Sequence, residues 1–478
     1  MLKKLLSSVI ALLLVTLVAC SFPRVEPPDT EIPPNSQPHQ EEGEQQNQRT
    51  PVPTQPPENL DDLPNSDEDS VEENINGFDI SDDHDITRQA ESLLMTQINT
   101  AVDQTEIAQL PEINTNNSSD DIVMVYEKQL PEQITYGVQY EKYNLTYDYF
   151  LITSENEITI YENPNLNSRE ICSAINSEKL ALHQKLTGQS QNGSDIWYKV
   201  SCKENDKLVT GYIHSSAGTT RTFQFNKMLD AIQDLQSQVS EGKLNHVSNY
   251  KNVNGVPPDK GQGGTDEFGM RIYQSAPGYL QADTQSDFRY VPDGMLVRIL
   301  EDSGEFYRTE VDSYNQELYI PKNFIDPNDA LADLTQVVVI DRKQQNQAAF
   351  ELSGNEIRMI SYTLSTTGVG GPSSFETPLG TYKTIEKKER FQYLKKDSNE
   401  IAGYAPYAIR FCGGAYIHGV PVNYEEKDGE LIDPGIIEYL QTIGTFPRSS
   451  MCVRNFSSHA EFLYNWIEPT NGAVIVIE

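Results

Sequence analysis

Two residues near the C-terminus are of the types that carry out acyl transfer. Cys452 lies in Arg448-Ser449-Ser450-Met451-Cys452-Val453-Arg454-Asn455, and His418 sits near the end of Phe411-Cys412-Gly413-Gly414-Ala415-Tyr416-Ile417-His418-Gly419. A thiol is a useful nucleophile as thiolate, and an imidazole beside it can take the proton and hold the resulting ion pair. The histidine segment reads as one strand ending on His418 at a glycine turn. The cysteine segment reads as a Ser-rich loop leading into a helical run over 456–466. Taken singly, a cysteine or a histidine is more often a buried structural residue. Together, in these contexts, they point to covalent acyl transfer.

A second pattern lies upstream, where Ser365-Thr366-Thr367-Gly368 is followed by Glu376-Thr377-Pro378-Leu379-Gly380-Thr381-Tyr382. The two patterns, in this order, resemble the L,D-transpeptidase family: a Ser-Thr-Gly and Thr-Pro-x-Gly signature, then His-Gly, then Ser/Thr-His-Gly-Cys-Val/Ile-Arg. Ser449, Cys452, Val453 and Arg454 match, while Ser450 and Met451 stand where the family has its second His and a Gly. The resemblance covers about 334–478. It implies that the family's activity, attack on a peptide carbonyl of a peptidoglycan stem and passage of the acyl group to an amine on a neighbouring stem, belongs to this stretch. Three readings are open: a membrane-anchored transpeptidase, a carboxypeptidase using water as acceptor, or a wall-binding lipoprotein whose catalytic domain has decayed.

On the first reading Cys452 is the nucleophile and His418 the general base and acid. Backbone N–H groups around Met451 and Cys452 would form the oxyanion hole, and a group near Gly419 would orient the imidazole. Arg454, Ser449 and Tyr416 are assigned to the stem peptide. Met451 in place of glycine removes freedom to take a positive φ, so a reshaped loop is expected. The acidic stretch 422–433 reads as a flap over the cleft or an idle excursion.

The chain holds five cysteines. Leu17-Val18-Ala19-Cys20 looks like a bacterial lipobox, by which resemblance Cys20 is lipidated; each buried CH₂ of an acyl chain adds about 0.8 kcal/mol of membrane affinity. With Cys20 and Cys452 so used, Cys172 and Cys202 remain as the expected disulfide. Cys412 is left over and would share a face with His418 if their strand ran unbroken.

The elements that must deliver this site come in series. Residues 1–20 form a signal segment, with Lys3 and Lys4 before an apolar run too short to span a membrane comfortably. Residues 21–80 hold 11 of the 27 prolines among many acids and amides, which marks a disordered tether. Residues 81–147 are expected to be partly helical, with apolar residues at helical spacing over 85–102. Two alternating-strand groups come next, at 148–222 and 268–330, around Ile196-Trp197-Tyr198-Lys199-Val200 and Phe306-Tyr307-Arg308-Thr309-Glu310-Val311. Each resembles a bacterial SH3-like β-barrel. Between them, 223–267 reads as a helix stopped by Gly242 and a Gly/Pro linker over 252–264. The fold class expected is multidomain and mainly β: tether, two small SH3-like barrels, and a mixed β L,D-transpeptidase catalytic domain over 334–478.

A formal charge of −35 leaves no basic stripe for nucleic acid. The seven histidines are scattered, and no Cys-x-x-Cys or His-Glu-x-x-His pattern suggests a metal; no cofactor is expected. The expected partners are stem peptides and, through Cys20, a membrane. Oligomeric state is not readable.

Overall fold

A computed structural model of the chain describes residues 121–478, apart from 141, 144, 205–206, 262–263, 372–373, 396–397 and 428. The signal segment with Cys20, the tether and the helix expected over 85–102 lie outside the described residues.

The described part of 81–147 is strand and irregular chain. Strand β1 (Ile122–Val125) pairs with the first antiparallel group, and β2 (Ile134–Tyr136) joins the C-terminal domain. The first group holds β3 (Asp148–Ile152), β4 (Ile158–Tyr161), β5 (Glu170–Ala174), β6 (Lys179–Gln191), β7 (Ser194–Glu204), β8 (Lys207–His214) and β9 (Gly218–Thr222), in the order β5-β4-β8-β7-β6-β3-β9. Phe150, Ile160, Leu182, Val200 and Ile213 fill its core. Cys172 and Cys202 are joined by a disulfide from β5 to β7. Helix α1 (Phe225–Glu241) buries Met228, Ile232 and Leu235 along one face and ends at Gly242, whose φ of +151 suits a residue without Cβ.

The second group holds β10 (Leu244–Val247), β11 (Ser275–Tyr279), β12 (Phe288–Pro292), β13 (Leu296–Ser303), β14 (Phe306–Val311), β15 (Gln316–Pro321) and β16 (Ile325–Leu331). Its core is continuous with that of the C-terminal domain: Val247, Val291, Met295 and Leu318 share one apolar cluster with Val338, Ile409 and Phe411. Gly294 lies so close to that domain that a Cβ there would fall 2.0 Å from the Phe411 carbonyl oxygen. The stretch expected to be a loose linker is tied down as well. Asn249 Nδ2 donates to Gly255 and Ser275 carbonyls at 2.9 and 2.7 Å, and the Lys260 N–H donates to Tyr290 Oη at 3.1 Å.

The C-terminal domain stacks two sheets. In the first, β17 (Gln336–Asp341), β18 (Asn346–Ser353), β19 (Glu356–Leu364), β20 (Gly380–Lys383) and β28 (Gly472–Ile477) assemble with β2 in the order β2-β19-β18-β17-β28-β20. The central strands β17 and β28 are parallel and nearly continuous apolar runs, as strands covered on both faces must be. The second sheet, in the order β21-β22-β23-β27, contains β21 (Glu386–Leu394), β22 (Ile401–Cys412), β23 (Ala415–His418) and β27 (Val453–Arg454), with β24 (Val422–Asn423) on β22. Strands β25 (Glu425–Lys427) and β26 (Glu430–Ile432) make a small exposed hairpin, and α2 (Ser457–Trp466) comes after β27.

Candidate active site

Residues 411–418 are not one strand. Gly413, at φ +44, and Gly414 turn β22 into β23, with Cys412 paired to Ala415. Strand β23 then runs parallel to β27, Ile417 opposite Val453 and His418 opposite Arg454. Alternation along each strand therefore puts Tyr416, His418, Cys452 and Arg454 on one face. Ile409, Phe411, Ile417 and Val453 turn into the core on the other. Cys452 stands level with Tyr416 and diagonal to His418.

The thiol is 0% exposed and donates to the Gly414 carbonyl at 3.7 Å. It clusters with Phe391, Ala405, Ala408 and Tyr416. The rings of Phe391 and Tyr416 stack at 4.2 Å across the small alanines of β22, forming a cover over the thiol. Burial pushes Cys452 up to about 11, opposed by a backbone hydrogen bond from Tyr416 and by the charges of Arg454 and Arg271. His418 is also 0% exposed, and burial brings it down to about 4, a hydrogen bond to Gly419 opposing and Arg454 adding to the fall. Its Nδ1 lies 2.6 Å from the Gly419 carbonyl oxygen. A carbonyl only accepts, so Nδ1 carries the proton and Nε2 is the basic nitrogen. At neutral pH the pair is thus thiol and neutral imidazole, not the ion pair expected from the residue types: burial in a low-dielectric site disfavours both charges.

The upstream signature is the cradle of the cysteine loop. Thr377 Oγ1 accepts from the Gly368 N–H at 2.8 Å and donates to the Met451 carbonyl at 2.8 Å. Thr366 and Arg454 exchange backbone hydrogen bonds of 3.0 and 2.9 Å, and Arg448 and Ser449 N–H groups donate to the Thr367 carbonyl. Ser449 Oγ donates to the Cys452 carbonyl at 2.5 Å. Met451 takes φ +65 although it bears a side chain, so the loop keeps a left-handed residue where a reshaped one was expected. The N–H groups assigned to the oxyanion hole are both engaged, Met451 with the Phe375 carbonyl at 2.8 Å and Cys452 with that of Ser450 at 2.9 Å.

The residues assigned to the stem peptide, Ser449, Tyr416 and Arg454, all lie beneath the surface. Tyr416 Oη donates to Glu386 Oε1 at 3.4 Å and lies 3.5 Å from Tyr250 Oη. Cys412 turns to the opposite face from His418, into the core near Tyr382, and burial pushes it up to about 12. The acidic stretch is the exposed β25–β26 hairpin, pinned where Asp433 accepts from Arg390 at 2.9 Å and from Tyr404 at 3.1 Å. Tyr250, Arg271 and Asp293 reach the site's surroundings from outside the C-terminal domain, and no local pattern announced them.

Residues 335–477 match the model of the YkuD family, the L,D-transpeptidase catalytic domain. No curated protein sequence matches the chain. Among solved structures, an L,D-transpeptidase from Mycobacterium smegmatis is similar at 16% identity, over 38% of this chain and 82% of that one, with a TM-score of 0.23. L,D-transpeptidase 3 from Mycobacterium tuberculosis gives 15%, 43%, 79% and 0.23. A fused Zn-dependent amidase/peptidase/peptidoglycan-binding domain-containing protein from Clostridium acetobutylicum gives 14% over 30% of this chain, which spans 51% of that protein's length, at 0.20. The family match covers both signatures and the Cys452–His418 face, and residues 335–477 are a YkuD-type L,D-transpeptidase catalytic domain.

Proposed function

We propose that the chain is a peptidoglycan L,D-transpeptidase that works through an acyl-enzyme on Cys452. The observation that carries this reading is the parallel β23–β27 pairing, which sets His418 and Cys452 on one sheet face inside the matched domain. Cys452 Sγ attacks a stem-peptide carbonyl while His418 Nε2 takes the thiol proton. The tetrahedral adduct collapses by expelling the amine of the terminal residue, which leaves with that proton. An amine of a neighbouring stem then attacks the thioester, transfers its proton through His418 and regenerates the thiol. Because both groups are neutral at rest, His418 acts as a general base during attack rather than as half of a stored ion pair. Entry of substrate requires the Phe391–Tyr416 cover to part. Lipidation at Cys20 would tether this activity to the outer face of the membrane, toward the wall.

The test is intact mass after incubation with a carbapenem, a class of β-lactam that the resemblance to the L,D-transpeptidase family implies can acylate Cys452. The parent is expected to gain one adduct, mapping to Cys452, and Cys452→Ala none. A parent that stays unmodified, with stem peptides also unturned, rejects the enzymatic reading and leaves the wall-binding lipoprotein, which the sealed thiol would suit. Turnover of a stem peptide with and without an added acceptor amine separates cross-linking from carboxypeptidase action.

A further inference from the structure

Arg271 belongs to the second antiparallel group, yet its guanidinium lies against two of the segments that frame the thiol. Its Nη2 would be 3.0 Å from a Cβ placed on Gly413, the residue before the Gly414 carbonyl that holds Cys452 Sγ. It also sits over the Phe375 ring at 5.5 Å, and the Phe375 carbonyl holds the Met451 N–H. Arg271, Phe375, Gly413 and Met451 line one crevice beside the cysteine loop.

The turn that Arg271 meets is itself held in place. Asp293, from the same group, accepts from Arg410 Nη1 at 2.7 Å and from the Gly413 N–H at 3.1 Å, while its other oxygen accepts from the Asn249 N–H at 2.7 Å. Arg410 is neutralised there by Asp293 and by Glu386, whose Oε1 accepts from its Nε at 2.6 Å. Tyr416 and His418 from β23 and Arg454 from β27 share the face of Cys452, while Arg271 reaches the loop from the Cys412 side of the Gly413 turn, and the charges of Arg454 and Arg271 both act on the thiol. Of these two cations, only Arg454 belongs to the cysteine motif.

Building on the transpeptidase reading, we propose that Arg271 is a positioning residue of the active site, supplied from outside the catalytic domain, which braces the Cys452 loop and stabilises its developing thiolate. The charge acts through a water-poor site, where screening is weak. The second antiparallel group is on this view part of the active site rather than a detached module.

The experiment uses the full chain and the variants Arg271→Met, Arg271→Gln and Arg271→Lys, each checked for folding by thermal melt. Two rates are followed from pH 6 to pH 10 with mass mapping of the modified residue: iodoacetamide alkylation of Cys452 and carbapenem acylation. Both neutral variants are expected to react roughly three- to tenfold more slowly across this range, with a near-constant deficit because the thiol titrates only near 11, and Arg271→Lys to restore most of the rate. Rates that match the parent at every pH, or that fall equally at every pH and are not restored by Lys, overturn the proposal. A parent that alkylates at Cys452 but is never acylated refutes the transpeptidase reading instead, since alkylation requires only the thiolate.

Discussion

At Met451 two effects oppose each other. A side-chain-bearing residue at φ +65 costs about 1 kcal/mol. Its side chain, however, is buried in the core shared by the second group and the catalytic domain, and removing such a side chain costs about 2–3 kcal/mol or more. Burial wins, so Met451→Gly is expected to lower stability by about 1–2 kcal/mol although it relieves the backbone; a variant with a higher denaturant midpoint would show that strain dominates. The neighbouring thiol has its own pH signature. With Cys452 pushed up to about 11, thiolate is scarce at neutral pH and His418 is needed most there. His418→Ala should therefore slow carbapenem acylation strongly at pH 7, and progressively less as the pH approaches 10. A pH-independent defect would mean that His418 positions rather than transfers protons.

Between elements, the cysteine loop is held by backbone hydrogen bonds to segments far back in the chain, and Thr377 is the hub. Thr377→Val keeps the shape but leaves the Gly368 N–H and the Met451 carbonyl without their partner in a buried site. An unpaired buried backbone group costs about 1–3 kcal/mol, so the variant is expected to lose about 2–4 kcal/mol in denaturant unfolding. Its Cys452 should also acylate more slowly, because the loop is no longer fixed. Unchanged stability would assign the loop's order to Phe375 and Thr367 instead. The Gly413–Gly414 turn matters in the same way. It converts one apparent strand into a hairpin, sends Cys412 into the core, and frees only the His418 face for chemistry.

For the molecule as a whole, burial holds several histidines neutral. His183 and His418 are brought down to about 4 and His459 to about 3, desolvation being the first cause in each; His246 is lowered too. The unfolded chain takes up these protons near pH 6.5 while the folded chain resists until near pH 4, so folding stability falls as the pH drops through that window. Each histidine contributes about 1.4 kcal/mol per pH unit, and together they amount to several kcal/mol between pH 6.5 and 4.5. Thermal melts should drop steadily over this range. A flat melting temperature would show that water reaches these rings.

Much of the architecture was legible in local pattern. Continuous apolar runs at Val337-Val338-Val339-Ile340 and Ala473-Val474-Ile475-Val476-Ile477 became the central strands β17 and β28, because a run apolar at every position can only be covered on both faces. Helix α1 followed from Met228, Ile232 and Leu235 at helical spacing. Cys452 and His418 were legible as chemistry because side-chain type alone sets what a thiol and an imidazole can do. The sequence could not show that Cys452, on its Ser-rich loop, is buried against Phe391 and Tyr416, or that Tyr416 turns to Glu386 and Tyr250. Nor could it show that Arg271 approaches Gly413. Those facts depend on strand register and on packing between segments tens to hundreds of positions apart. Local propensity carries no information about such encounters; burial, charge pairing and hydrogen-bond satisfaction settle them only when the whole chain closes around the site.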